Sequence, residues 1–193
     1  MNIYIKLFYI SVFLFLVQSI AAQIIITNSS FEGKPADATM PSGWFMASEG
    51  TTPDILPGYW GVYNEPYDGD SYAGLITRQD GTFESITQRM ENSLDKGSCY
   101  SLKFALAHSD SYAGYNQPLK LRIWISNKSK DRQQKIYESE LIESEEWQLQ
   151  RIEFTPKNEM QYIIIEAFNP RSEAVNGNIL IDGLTNPHSC NRV

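Results

Sequence analysis

The chain has 193 residues, with 16 basic side chains against 23 acidic ones, a formal net charge of −7 and only two cysteines. An acidic balance with no basic cluster excludes the broad cationic footprint that nucleic-acid binding needs. No stretch after Val17 approaches the roughly 18 apolar residues of a spanning helix, so no membrane span is expected in the body of the chain.

Residues 1–22 have the build of a secretory signal peptide: Lys6 supplies the positive end, Leu7 to Val17 an apolar run, and Ser19-Ile20-Ala21-Ala22 the small residues of a cleavage site. No cysteine follows that run, so there is no lipobox, and a secreted, periplasmic or cell-surface protein is expected. Removing residues 1–22 takes away one cation, Lys6, which leaves 15 basic against 23 acidic side chains and a charge of −8. Residues 23–193 suit a single domain, long enough to bury about 70% of its unfolded surface. In an exported chain, Cys99 and Cys190 are expected to form a disulfide, the alternative being two free, buried thiols.

The β-branched run Ile24 to Thr27 predicts an opening strand, ended by Asn28-Ser29-Ser30. A turn-rich stretch from Gly33 to Ser42 follows, then a short buried segment at Trp44-Phe45-Met46. From Thr52 to Arg78 prolines, glycines, aromatics and carboxylates crowd together, the signature of a shaped loop on a rigid scaffold. Tyr72 to Thr77 and Phe83 to Met90 predict strands, and Asp80-Gly81 between them signals a hairpin.

Two later segments alternate cleanly. Tyr100, Leu102, Phe104 and Leu106 share one face of a strand, and Leu119, Leu121, Ile123 and Ile125 one face of another. Arg122 and Trp124 therefore point away from the core, and Ala105 and Ala107, if their strand lies adjacent, would leave room for a ring or a groove beside them. Between Glu146 and Phe154 the apolar positions change phase, which predicts a bulge near Gln150. Tyr162 to Phe168 and Ile179 to Leu184 complete the series. About ten short strands with frequent turn signals and no helical period define an all-β fold, an antiparallel β-sandwich of the jelly-roll kind.

Catalytic patterns find little support. Gly69-Asp70-Ser71 matches a string found in serine esterases, but those need a late Asp-x-x-His, and position 185, ahead of His188, is Thr. His108 and His188 lack metal-ligand spacing. The acidic series Glu138, Glu140, Glu143, Glu145 and Glu146 suits a solvated strand and turn better than a pair of glycosidase carboxylates.

The order Asn28-Ser29-Ser30-Phe31-Glu32, Gly43-Trp44, Asp68-Gly69-Asp70-Ser71-Tyr72 and Ile179-Leu180-Ile181-Asp182-Gly183-Leu184 resembles the jelly-roll carbohydrate-binding modules of the galactose-binding-like group, especially those secreted by Bacteroidetes-type bacteria. The resemblance implies a non-catalytic module that recognises a glycan or cell-surface polysaccharide. It also implies a structural calcium, with Glu32 and Asp182 as ligands by position and Asp68 or Asp70 completing an oxygen shell. Gly183 stands where such modules often carry another acid or amide.

A sugar ring needs an aromatic plate and a few planar polar side chains. Trp124 and Arg122 supply both types, Tyr112 and Tyr115 lie in a loop near enough to join them, and Trp60 and Arg78 are further candidates from the crowded loop. Trp60 has a second role open to it, as an anchor that pins the loop. Two other functions stay open: an envelope module that binds protein, and a hydrolase with an unrecognised site.

Overall fold

The computed structural model describes residues 23–190, so the expected signal peptide lies outside the described residues. Among these residues there are twelve strands and no helix: β1 (Phe45–Met46), β2 (Asp54–Leu56), β3 (Tyr72–Thr77), β4 (Ser85–Leu94), β5 (Tyr100–Ala107), β6 (Gln117–Pro118), β7 (Lys120–Ser126), β8 (Gln134–Glu138), β9 (Gln148–Phe154), β10 (Met160–Phe168), β11 (Gly177–Asp182) and β12 (His188–Ser189). They form one sandwich. A five-stranded sheet runs β1-β4-β10-β7-β8, and a seven-stranded sheet runs β12-β5-β11-β3-β2, with β9 also on β5 and β6 on β11. All pairings are antiparallel except the short β6–β11 contact.

Alternation dictates what lies between the sheets. Leu121, Ile123 and Ile125 of β7 and Ile163, Ile165 and Ala167 of β10 meet Leu102, Phe104 and Leu106 of β5 and Ile179 and Ile181 of β11 in the main core. A second apolar cluster lies on the opposite side of the seven-stranded sheet. There Leu56, Val62, Tyr72, Ile76, Ala107, Tyr112 and Leu180 pack together, with Tyr115 and Trp147 against them. The crowded loop is thereby fastened over that sheet's outer face, which explains why its strands are buried on both sides.

Five expectations change. Trp44 is buried, but Phe45 and Met46, expected to be buried with it, are exposed on the edge strand β1. Ile24 and Ile26 are buried, but residues 23–26 form no strand, because Ile26 N–H donates to the Asn186 side chain rather than to a ladder. The Asp80-Gly81 turn is real, yet β3 and β4 part into opposite sheets after a single bridge between Thr77 and Phe83. No bulge occurs at Gln150, since β9 pairs with β5 in unbroken register and Leu149 simply points outward, 58% exposed. Ala105 and Ala107 are not beside Trp124: β5 and β7 belong to different sheets.

Cys99 and Cys190 are joined, with Cα atoms 5.4 Å apart, and tie the start of β5 to the segment after β12. The bond closes a loop with a sequence separation of 91 residues. Chain-entropy reasoning assigns such a loop about 4–5 kcal/mol. The double variant Cys99→Ser/Cys190→Ser is expected to lose most of that stability in equilibrium urea unfolding, with the seven-stranded sheet's β12 edge exchanging its amides first.

Candidate functional site

Residues directly opposite one another in a ladder share a face. Phe45, Thr87, Ile164, Trp124 and Lys135 therefore form one row across all five strands on the outer side of the five-stranded sheet. Ser85, Glu166, Arg122 and Glu138 form the next row, and Phe168 extends the same face of β10. Among the described residues no satellite core covers this end, and a cavity of about 470 Å³ opens there. Its floor is Arg122, Trp124, Glu166 and Phe168, and its walls are the β3–β4 turn and the loop after β10.

The polar groups of the cavity hold one another in place. Arg122 Nε donates to Glu138 Oε2 at 2.9 Å, its Nη1 lies 3.8 Å from Glu166 Oε1, and its guanidinium stacks 3.1 Å from the Phe168 ring centre. Arg132 reaches in from the β7–β8 loop, pairing with Glu166 and donating to Ser48 Oγ at 2.8 Å. Arg78 pairs with Glu84 at 2.7 Å rather than with Asp80, which instead accepts from Thr82. Burial pushes the Glu84 carboxyl up in spite of that guanidinium. The Trp124 indole N–H is buried and has no acceptor among the described residues, a condition that costs about 1–3 kcal/mol.

Of the six side chains expected to touch a ligand, Trp124, Arg122 and Arg78 are brought together in this cavity. The other three lie on the opposite side of the sandwich. Tyr112 is 1% exposed in the satellite core, where its hydroxyl donates to Asp54, so its ring has no free face. Tyr115 is packed against the same cluster. Trp60 is placed as the loop anchor weighed for it: its backbone carbonyl receives Ala113 N–H at 2.8 Å, while its side chain is 46% exposed. It also holds a φ of 55°, a strained value for a bulky residue.

Glu166, Phe168, Arg132 and Arg171 also line the cavity, and the sequence reading passed over them. Parity along β10 was enough to find the first two, since Glu166 and Phe168 are opposite Arg122 and Lys120. Arg132 and Arg171 sit in loops, where no period places a side chain.

Glu32, Asp68 and Asp182 gather at a separate corner. Asp182 Oδ2 accepts Tyr67 N–H at 2.8 Å and Asp68 N–H at 3.0 Å, and its Oδ1 accepts Gly183 N–H at 2.6 Å. Burial nevertheless pushes its carboxyl up to about 6. Glu32 accepts from Asp70 N–H and Ser71 Oγ, and Gly69 is required beneath it, because a Cβ there would sit 1.9 Å from Glu32 Oε1. Ser30 Oγ lies 2.8 Å from Asp68 Oδ2 and 3.2 Å from Asp182 Oδ1. One hydroxyl hydrogen serves only one of those two carboxylates. The all-oxygen donor set suits a hard cation such as calcium, although the three acids do not converge on a single point. Among the described residues the group that does converge is Cys99, Glu153 and Cys190, whose sulfurs are spent in the disulfide.

No family model matches the chain, and no curated protein matches it in sequence. Its backbone is similar to the CBM22-1 xylan-binding domain from Paenibacillus barcinonensis Xyn10C, at 15% identity and a TM-score of 0.57, over 90% of this chain and 100% of that one. It is similar too to the Stig cyclase Fisc from Fischerella sp. TAU, at 13% identity and a TM-score of 0.58, over 89% of this chain and 100% of that one. The K1 cleaved adhesin domain of Lys-gingipain from Porphyromonas gingivalis W83 follows at 12% identity and 0.53, over 82% and 100%. At such identities the likeness defines the fold: a single-domain β-sandwich like those of carbohydrate-binding modules and adhesin domains.

The buried Asp54–Tyr112 pair that fastens the loop is testable through its pH dependence. Burial raises the Asp54 carboxyl above its ordinary 3.8 while the Tyr112 bond opposes that rise. The folded state therefore holds this proton more tightly than the unfolded one, so the stability Asp54 contributes is greatest below its unfolded pKa and falls as pH rises through its folded value. Tyr112→Phe is expected to cost about 1–3 kcal/mol at pH 7, where an ionised carboxylate loses its donor, and clearly less at pH 4. Denaturant titrations at the two pH values measure the difference.

Proposed function

We propose that the protein is an exported, non-catalytic module that binds a glycan in the cavity on the outer face of its five-stranded sheet. The observation that carries this reading is the cavity floor itself, in which Trp124 lies beside the stacked Arg122–Phe168 pair. A pyranose suits such a floor: its hydroxyl oxygens accept from guanidinium donors, and its C–H face packs on aromatic rings. Glu166 is engaged by Arg122 and Arg132, which suits a fixed wall better than a proton donor. Export is supported by the sequence of residues 1–22 and by the disulfide. The xylan-binding neighbour makes polysaccharide a natural first ligand to try.

A protein partner in the cell envelope is the second reading. It is favoured by Tyr59, Trp60, Tyr63 and Tyr67, exposed together on the crowded loop, with Tyr63 at 72%. The oxygen-rich corner at Glu32, Asp68 and Asp182 is proposed to hold a structural calcium, which would neutralise the two carboxylates that share the Ser30 hydroxyl.

Glycan-array and insoluble-polysaccharide binding, repeated with Trp124→Ala and Trp60→Ala, separates the readings. Trp124→Ala is expected to lose at least tenfold in affinity with its unfolding midpoint preserved, and Trp60→Ala to keep its glycan affinity. Full binding by Trp124→Ala would overturn the site. Absence of binding to any glycan would favour the protein partner, and released reducing sugar would favour a hydrolase. For the corner, calcium is expected to raise the thermal midpoint and chelator to lower it, as for any ion that binds only the folded state. Asp182→Ala should abolish that response, and a midpoint indifferent to both reagents counts against the ion.

A further inference from the structure

The four guanidinium groups of the cavity are not equivalent. Arg78 is paired with Glu84, Arg122 with Glu138 and Glu166, and Arg132 with Glu166. Arg171, the fourth, has no carboxylate partner among the described residues. Its Nη1 donates to Pro118 O at 2.9 Å and lies 3.5 Å from Asn169 Oδ1, while Nε and Nη2 make no hydrogen bond to a described residue. A guanidinium carries five N–H donors in a rigid plane. Here one nitrogen holds the side chain against the backbone of the β6–β7 junction and the remaining two stay available.

Resting on the glycan reading above, we infer that the cavity takes a sugar carrying an anionic group, with the free edge of Arg171 pairing the anion while Trp124 and the Arg122–Phe168 stack hold the ring. The remaining edge of a guanidinium matches two oxygens of a carboxylate or a sulfate ester side by side, which a hydroxyl does not exploit. Glu173, also in the cavity wall, opposes an anion, but it is exposed, and solvent screens it. The chain as a whole carries −7, so a uniformly charged polymer meets repulsion outside the cavity. The favoured ligand is therefore a chain with scattered acidic units or one acidic end.

The test compares an oligosaccharide of neutral sugars that ends in a single uronic acid with the methyl ester of the same compound, which differ in the charge and little else. A sulfated and a neutral oligosaccharide form the other arms, all measured by calorimetry on the full mature chain. The free acid is expected to bind at least tenfold tighter than the ester, and the difference to shrink as salt rises. Arg171→Gln, which keeps a donor for Pro118 O, should abolish the difference while weak ester binding and the unfolding midpoint persist. Glu173→Gln should raise affinity for the free acid. Preference for the sulfated arm supports the same anion pairing and assigns the group as sulfate. Equal affinity for acid and ester with no preference for the sulfated arm, or a preference that survives in Arg171→Gln, overturns the inference and leaves the glycan reading standing. Binding in none of the arms overturns both.

Discussion

The fastening of the crowded loop over the seven-stranded sheet decides everything else about this molecule's surface. A sandwich has two outer faces, and each is an equal candidate until something covers one of them. Here Leu56, Val62, Tyr72, Tyr112 and Leu180 make a second apolar layer, and Asp54 beneath it ties Ala38 and Tyr112 to one carboxylate. The Trp147 indole adds a bond to Glu65 O at 2.7 Å across the same layer. With that side closed, the pocket that combines aromatic and guanidinium groups is left to the five-stranded sheet.

The signature residues behave in the same way, as parts that close the chain rather than parts that meet a ligand. Asn28 gives both of its amide atoms to Glu32, donating to its carbonyl and accepting its N–H, while the Asn28 carbonyl receives the Trp44 indole at 3.0 Å. Phe31 then packs on Trp44 with ring centres 5.1 Å apart. Asp182, at the far end of the chain, caps the Tyr67-Asp68 turn. Gly183 departs from the pattern for a local reason: it holds a φ of 58°, and a Cβ there would press on the Tyr67 ring at 2.8 Å. Such motifs therefore report the fold, and their order along the sequence is informative because each closes a contact with a distant one.

The sandwich was legible because alternation is a direct consequence of the strand's two-residue period, and the core positions of β5, β7, β10 and β11 all obey it. The outward direction of Arg122 and Trp124 followed from the same period. What alternation does not encode is which strand lies beside which, so Ala105 and Ala107 seemed free to flank Trp124, whereas they pair with Leu149, Asp182 and Leu180 in the other sheet. Leu149 misled for a related reason. An exposed leucine costs little, so an apolar residue out of phase need not signal a bulge. Tyr112 illustrates the converse: a tyrosine in a polar loop is free to turn inward once a buried carboxylate accepts its hydroxyl.

The cavity's electrostatics follow from how its arginines are spent. Glu166 is nearly inaccessible, and two guanidinium groups converge on it. A buried carboxylate needs such company, since desolvation without a partner would cost more than the fold can spare. Those pairs fix the directions of Arg122 and Arg132, which in turn set the Phe168 stack and strap the β7–β8 loop to Ser48. Rigid, self-neutralised walls of this kind lose little conformational entropy when a ligand arrives. They also add little net charge, so the discrimination of ligand charge falls to the guanidinium that no carboxylate engages. In an acidic protein, one such uncompensated cation at the rim of a partly desolvated cavity acts over a shorter range but with greater selectivity than a basic patch would.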